Sequence, residues 1–198
     1  MLTRLPAITP IRLTPRAEPF DDPDWLFELQ YDGLRSLAYL ENGTAKLLSR
    51  QGETYMSFQS LCAKLARDVR VHDAIVDGGI VCLDEENRPR VAWLHDRQHE
   101  PCYCAFDLLW CNGIDFRSQP VRNRKKALRK VIAVRSLSVR CIDYVIECGE
   151  SLFRIACARR LKGIVAKQID APYAEGTRWL KIMNPGYIQA EGPEDARR

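Results

Sequence analysis

The sequence predicts an α+β fold with largely antiparallel sheets. Strand-like runs outnumber helical ones, most strand connections are short and hairpin-like, and helices come singly rather than alternating with strands. Taken in order, the first 24 residues carry prolines at 6, 10, 15, 19 and 23 and little periodicity, which reads as an extended arm wrapping a domain. From Trp25 the texture is β-rich: WLFELQY and RSLAYLE are separated by Asp32-Gly33, and Asn42-Gly43 signals a hairpin turn into TAKLLSR. Apolar residues at 58, 61, 62, 65 and 69 have helical spacing, so a helix is expected over 57–69 with Ser57 as its cap. AIVDGGIVCLD and CYCAFDLLW read as strands. PVRNRKKALRKVI (120–132) reads as a helix that begins on its proline. A strand near 138–147, a helix over 150–161, and strands in GIVAKQI and RWLKIM complete the chain. No repeat or linker divides it. The expected organisation is an arm over 1–24, one domain over 25–187, and a flexible tail over 188–198.

Composition narrows the class. A chain of 198 residues buries about 70% of its unfolded surface, enough to fold without a disulfide or metal staple. Apolar residues at 46% and charged residues at 28% match soluble globular averages. No apolar run approaches the ~20 residues of a membrane span, and the start has no signal-peptide core, so a cytoplasmic protein is expected. A net charge of +4 permits a nucleic-acid or nucleotide partner without establishing one. Eight cysteines contain no C-x-x-C pair, against a zinc ribbon or thioredoxin motif. His95, His99, Cys102 and Cys104 supply four soft ligands within ten residues, but at spacings unlike standard zinc sites. Cys102, Cys104 and Phe106 on one face of a strand is the preferred alternative, with the cysteines reduced and no metal held.

Six short segments fall in a recognisable order: ELQYDGLR (28–35), SRQG (49–52), VDGGIVCLD (76–84), AFDLLW (105–110), KGIVAK (162–167) and WLKIMNP (179–185). Together they resemble the signatures of the ATP-dependent DNA ligases and mRNA-capping nucleotidyltransferases. The resemblance runs from about Trp25 to Pro185 and is strongest to the ligase module of bacterial end-joining repair ligases. It implies an adenylation domain, two antiparallel sheets with flanking helices around a nucleotide cleft. It also implies a lysine that attacks the α-phosphorus of ATP to give lysine–AMP, with magnesium held on carboxylates. Family ligases carry an oligonucleotide-binding barrel after the last signature; with about a dozen residues after Pro185 in this sequence, no such barrel is expected here.

On this resemblance Glu28 matches the residue that helps read adenine, and Arg35 and Arg50 match phosphate and ribose contacts. Phe106 matches the adenine-stacking ring and Lys181 the phosphate-binding lysine. Each also has a plain structural reading: Phe106 as core, Arg50 as a solvated charge, Glu28 and Arg35 as a pair across a hairpin, Lys181 as a strand-edge lysine. Four positions depart from the pattern. The nucleophile position holds Gln30, whose amide nitrogen is delocalised and not nucleophilic. Gly79 and Lys162 stand where the family has glutamates, and Met183 where it has lysine. Four family side chains summing to zero charge become +1 here, with both metal-holding carboxylates lost. The expectation is a domain unable to self-adenylate, with ATP a weak ligand and magnesium poorly held, retained as a nucleotide- or DNA-binding module. The alternative is a working ligase or nucleotidyltransferase in DNA repair and recombination, using a non-standard nucleophile such as Lys162 or groups supplied by a repair-protein partner.

The 120–132 helix carries Arg122, Arg124, Lys125, Lys126, Arg129 and Lys130 without an acidic residue. It is a candidate for contact with the DNA backbone, and otherwise a solvated helix face.

Overall fold

A computed structural model describes residues 5–96, 98–133 and 136–187; the segment read above as a tail, 188–198, lies outside the described residues. Among the described residues, eleven strands form two sheets and three α-helices flank them. The first sheet contains β1 (Leu13–Pro15), β2 (Asp22–Gln30), β9 (Tyr144–Glu147), β10 (Gly163–Gln168) and β11 (Trp179–Met183), in the order β1-β11-β10-β2-β9. The second contains β3 (Leu34–Glu41), β4 (Thr44–Leu48), β5 (Asp73–Val81), β6 (Cys102–Cys111) and β7 (Ile114–Asp115), in the order β4-β3-β5-β6-β7, with β8 (Val139–Cys141) also on β6. All pairings are antiparallel except β1 with β11 and β6 with β8.

Alternation along the strands builds the layers. Phe27, Ile164, Ala166 and Ile182 face outward from the first sheet and pack under α3 (Gly149–Ala158) through Ala156, Leu152 and Phe153. On the second sheet Ala38, Leu40, Val76, Ile80 and Leu108 face outward against α1 (Gln59–Asp68) and α2 (Val121–Val131), through Leu61, Leu65 and Leu128. Between the sheets, Leu37, Ile75 and Leu109 meet Val165, Trp179 and Tyr173. Burying side chains of this size stabilises the fold by about 1.5–3 kcal/mol each. The N-terminal arm closes one end of this layer. Leu5, Ile8 and Ile11 join the cluster, and the Ile8 and Ile11 amides donate to the Tyr39 and Tyr173 hydroxyls at 3.0 and 3.1 Å.

Several local expectations are corrected. Asp32-Gly33 is not a hairpin turn; there the chain leaves the first sheet for the second, so Glu28 and Arg35 lie on different sheets and do not pair. The single strand read near 138–147 is two strands, one in each sheet. Ser57 caps nothing: a 3-10 turn over Met56–Phe58 precedes α1, and Phe58 occupies the cap position without a side-chain bond. Pro120 sits one residue before α2, with ψ of 144°, because its extended conformation turns the chain into the helix. The Asn42-Gly43 turn forms as expected, with φ of 51° and 72° at its two central residues.

The interior is rich in groups held in their proton-bearing form. Burial pushes the Tyr103 and Tyr173 phenols up and the Cys82 thiol to about 11. A group whose folded pKa is raised contributes stability that is present below its unfolded pKa and lost as pH rises. Burial shifts Lys167 the other way, so that lysine alone favours the fold increasingly as pH rises toward its unfolded value. Two phenols and several thiols outweigh one lysine. The free energy of unfolding is therefore expected to fall from about pH 9 upward, by up to ~1.4 kcal/mol per pH unit for each group titrating only in the unfolded chain, and the urea midpoint with it. A midpoint flat from pH 8 to 10.5 would contradict this.

Candidate functional site

The strand registers bring the resemblance-derived positions to one end of the inter-sheet layer. On the first sheet Glu28 and Gln30 of β2 stand opposite Val165 and Gly163 of β10, which in turn face Lys181 and Met183 of β11. On the second sheet Arg35 of β3, Gly79 of β5 and Cys104 of β6 form one cross-strand row. Gly163 has φ of 148°, and a Cβ there would collide with the Ile182 carbonyl, so only glycine lets β10 start this close to β11.

Glu28 is the electrostatic centre. Its carboxylate is 3% exposed and receives two ammonium groups, Lys125 at 2.8 Å and Lys167 at 2.9 Å. Burial alone would raise its pKa, but the two lysines outweigh this and the carboxyl lies below its usual range. Lys167 lies over the Trp179 ring at 4.0 Å and the Phe106 ring at 4.8 Å. Its pKa is lowered, chiefly by burial, with the Lys125 charge adding to the effect. Lys167 lies within the KGIVAK segment, and nothing in that segment alone marks it as a site residue. Its place opposite Leu26, beside Glu28 on the same strand face, needs the β2–β10 register to be seen.

Arg35 is bound side-on by the fully buried Asp77, at 2.7 and 2.5 Å, and the Tyr173 hydroxyl donates to the same carboxylate at 2.7 Å. The Arg35 guanidinium also lies 4.6 Å from the centre of the Phe106 ring. Phe106 is thus a half-buried ring that already carries two cations. Lys162 is engaged with Asp32 at 2.6 Å, and Tyr187 donates to the other Asp32 oxygen at 2.8 Å. Gln30 carries a buried amide oxygen, and Trp179 a buried indole N–H, with no hydrogen-bond partner among the described residues. Arg50 is exposed in the turn after β4, and Lys181 has no ion pair among the described residues.

The carboxylates of this region do not form a cage for a hard cation. Glu28, Asp32 and Asp77 each already hold a cationic side chain, Gly79 offers no oxygen side chain, and Lys162 brings an ammonium. Among the described residues no cluster of three or more His, Cys, Asp or Glu is placed to hold a metal. Cys102 and Cys104 are buried on one face of β6 against Ile142 and Phe106, while His99 stacks on Trp93 at 3.8 Å and bonds Asp96.

The basic helix needs the largest correction. Arg124 and Lys125 are not presented to solvent. Between β8, which pairs with Tyr103–Ala105, and β7, which pairs with Trp110 and Cys111, a stretch of β6 has no strand neighbour on that side. The two side chains of α2 enter there. Arg124 binds the buried Asp107 at 2.8 and 2.9 Å, and Lys125 reaches Glu28 and the Ile142 carbonyl. Arg122 pairs with Asp170 and Arg129 with Asp143 at the surface.

Two packed sheets with flanking helices, and a cleft end carrying these residues in this register, define the adenylation-domain class of nucleotidyltransferases. Residues 14–183 match the family model described as the ATP dependent DNA ligase domain, and the chain belongs to that family. It is 26% identical over 193 residues to the SPbeta prophage-derived DNA ligase-like protein LigB of Bacillus subtilis, covering 92% of this chain and 69% of that protein. It is 29% identical over 164 residues to the multifunctional non-homologous end joining protein LigD of Mycobacterium bovis, covering 79% of this chain and 21% of that protein. Among solved structures it is similar to a mycobacterial DNA ligase D complexed with ATP and MES, with a TM-score of 0.74 and 25% identity over 88% of this chain and 60% of that one. No helix among the described residues is long and apolar enough to cross a membrane.

Proposed function

We propose that this chain is a ligase-type adenylation domain that does not adenylate itself and serves as a nucleotide- or DNA-binding module in DNA repair and recombination. The observation that carries the reading is the state of the nucleophile position. Gln30 ends β2 with its amide oxygen buried, and a carboxamide cannot attack phosphorus. The groups around it are spent on one another, since Asp77 holds Arg35 and Asp32 holds Lys162. A nucleotide would be bound through what is left: the half-buried Phe106 ring, Lys181 and the exposed Arg50.

Incubation with radiolabelled ATP and magnesium is therefore expected to leave no AMP on the denatured chain, and intact mass is expected to be unchanged. ATP affinity should be weak and improve less than about tenfold on adding magnesium, a difference of ~1.4 kcal/mol. A covalent adduct, or a larger magnesium effect, would overturn the proposal. One observation favours a second reading, in which the chain retains ligase chemistry. Lys167 is a cleft lysine whose pKa burial depresses, as an amine nucleophile requires, although Glu28 holds its ammonium at 2.9 Å just as Asp32 holds that of Lys162. Mapping any adduct by peptide mass spectrometry separates the two readings.

A further inference from the structure

We propose that the outer face of α2 is a docking site for an acidic peptide segment of a partner protein, anchored by one large apolar side chain. Of the six cations on this helix, Arg124 and Lys125 are buried and Arg122 and Arg129 have surface carboxylate partners. Lys126 and Lys130 remain, exposed and without an ion pair among the described residues. One helical turn apart, they point the same way. Both line a cavity of about 450 Å³ whose floor is Leu108, Cys111, Phe116, Ala127 and Val131.

The floor continues outward. Ile114 pairs with Cys111 across β6 and β7, so it shares that strand face, and it is 58% exposed. An apolar floor this close to two ammonium groups that have no ion pair among the described residues fits a ligand that is apolar at its centre and anionic at its ends. Peptide grooves combine these features, the anchor giving affinity and the charged rim giving orientation and encounter rate. Nucleic acid fits less well, because phosphate contact gains nothing from an apolar floor and two lysines neutralise few phosphates. None of the cleft residues lines this cavity, so the proposal stands apart from the nucleotide reading.

The test is selection of phage-displayed random dodecapeptides on the full chain, with the leading sequence then synthesised and titrated by fluorescence polarisation. Enrichment of sequences with a Leu, Ile, Phe or Trp flanked by Asp and Glu is expected. Affinity should fall at least about tenfold on Lys126→Glu/Lys130→Glu, and equally when the peptide's apolar residue becomes Ser. Both lysines are exposed, and the milder Lys126→Gln/Lys130→Gln pair provides the same comparison if charge reversal perturbs folding. Failure to enrich, enrichment of peptides lacking acids or an apolar anchor, or unchanged binding by the lysine variants would overturn the proposal. So would loss of duplex-DNA binding by the same variants with peptide binding intact, which would assign these lysines to phosphates.

Discussion

Combining Gln30→Lys, Gly79→Glu, Lys162→Glu and Met183→Lys is expected to yield a lysine–AMP adduct, while Gln30→Lys alone is expected to give at least about a hundredfold less. Removing one group that stabilises transition-state charge commonly costs two to three orders of magnitude in rate. The single variant would restore the amine but leave Gly79 and Lys162 unchanged around the triphosphate. The structure makes the combined variant feasible. A Cβ at Gly79 would lie 3.5 Å from the Leu34 carbonyl oxygen, an ordinary contact, and its backbone is not in the left-handed region. Met183 ends β11 exposed, so a lysine there can turn to solvent or ligand. Lys162→Glu removes the 2.6 Å partner of Asp32 and sets a second carboxylate beside it, while Tyr187 still donates to Asp32. Two adjacent carboxylates repel until a cation joins them, which is the electrostatic state the present chain avoids. Intact mass after incubation with ATP and magnesium reads the result. A strong adduct from Gln30→Lys alone would show that the carboxylate positions are dispensable. Its failure in a folded fourfold variant would place the obstacle in the occupied Phe106 ring and the Arg35–Asp77 pair.

What the sequence made legible follows the range of the forces involved. Short apolar runs such as 74–81 and 102–110, and the Asn42-Gly43 turn, are local signals, and the strands lie where the sequence places them. Lys125 shows the opposite case. Along the chain it is one of six cations on an amphipathic helix, indistinguishable from Lys126. Its burial depends on a gap in the strand pairing of β6 and on a carboxylate 97 positions away in sequence, at Glu28. No window of the sequence contains both. Asp77 and Arg35 lie in separate signatures, but their ion pair follows from the β3–β5 register, in which Leu37 faces Asp77 and Arg35 lies two residues along on the same face. The strands β1 and β7, of three and two residues, carry too little periodicity to be read and exist because their neighbours have free edges.

Glu28→Gln is expected to be the most destabilising single substitution in the cleft, lowering stability by about 3–5 kcal/mol. The change keeps the shape but removes the charge facing two ammonium groups that are 2% and 1% exposed. Breaking a buried ion pair from one side leaves an uncompensated charge in a poorly solvated site, which is why the cost exceeds what the pair itself contributes. For a chain of this size that corresponds to a fall in Tm of about 10–15 °C. The pH dependence supplies an independent readout. Glu28 has a depressed folded pKa, so its contribution is present above its unfolded pKa and lost as pH falls through the folded value. The variant should therefore lose part of the acid-side slope of stability against pH that the parent shows below about pH 4.5. Adding Lys167→Met to Glu28→Gln should recover part of the loss, because one buried ammonium is removed and a methionine can pack against Trp179 and Phe106 where the lysine stem lay. Urea titrations of the parent, both single variants and the double variant form a cycle. If Glu28→Gln costs less than about 1 kcal/mol, or the double variant is as unstable as the sum of its parts, the triad contributes no more than a surface salt bridge would.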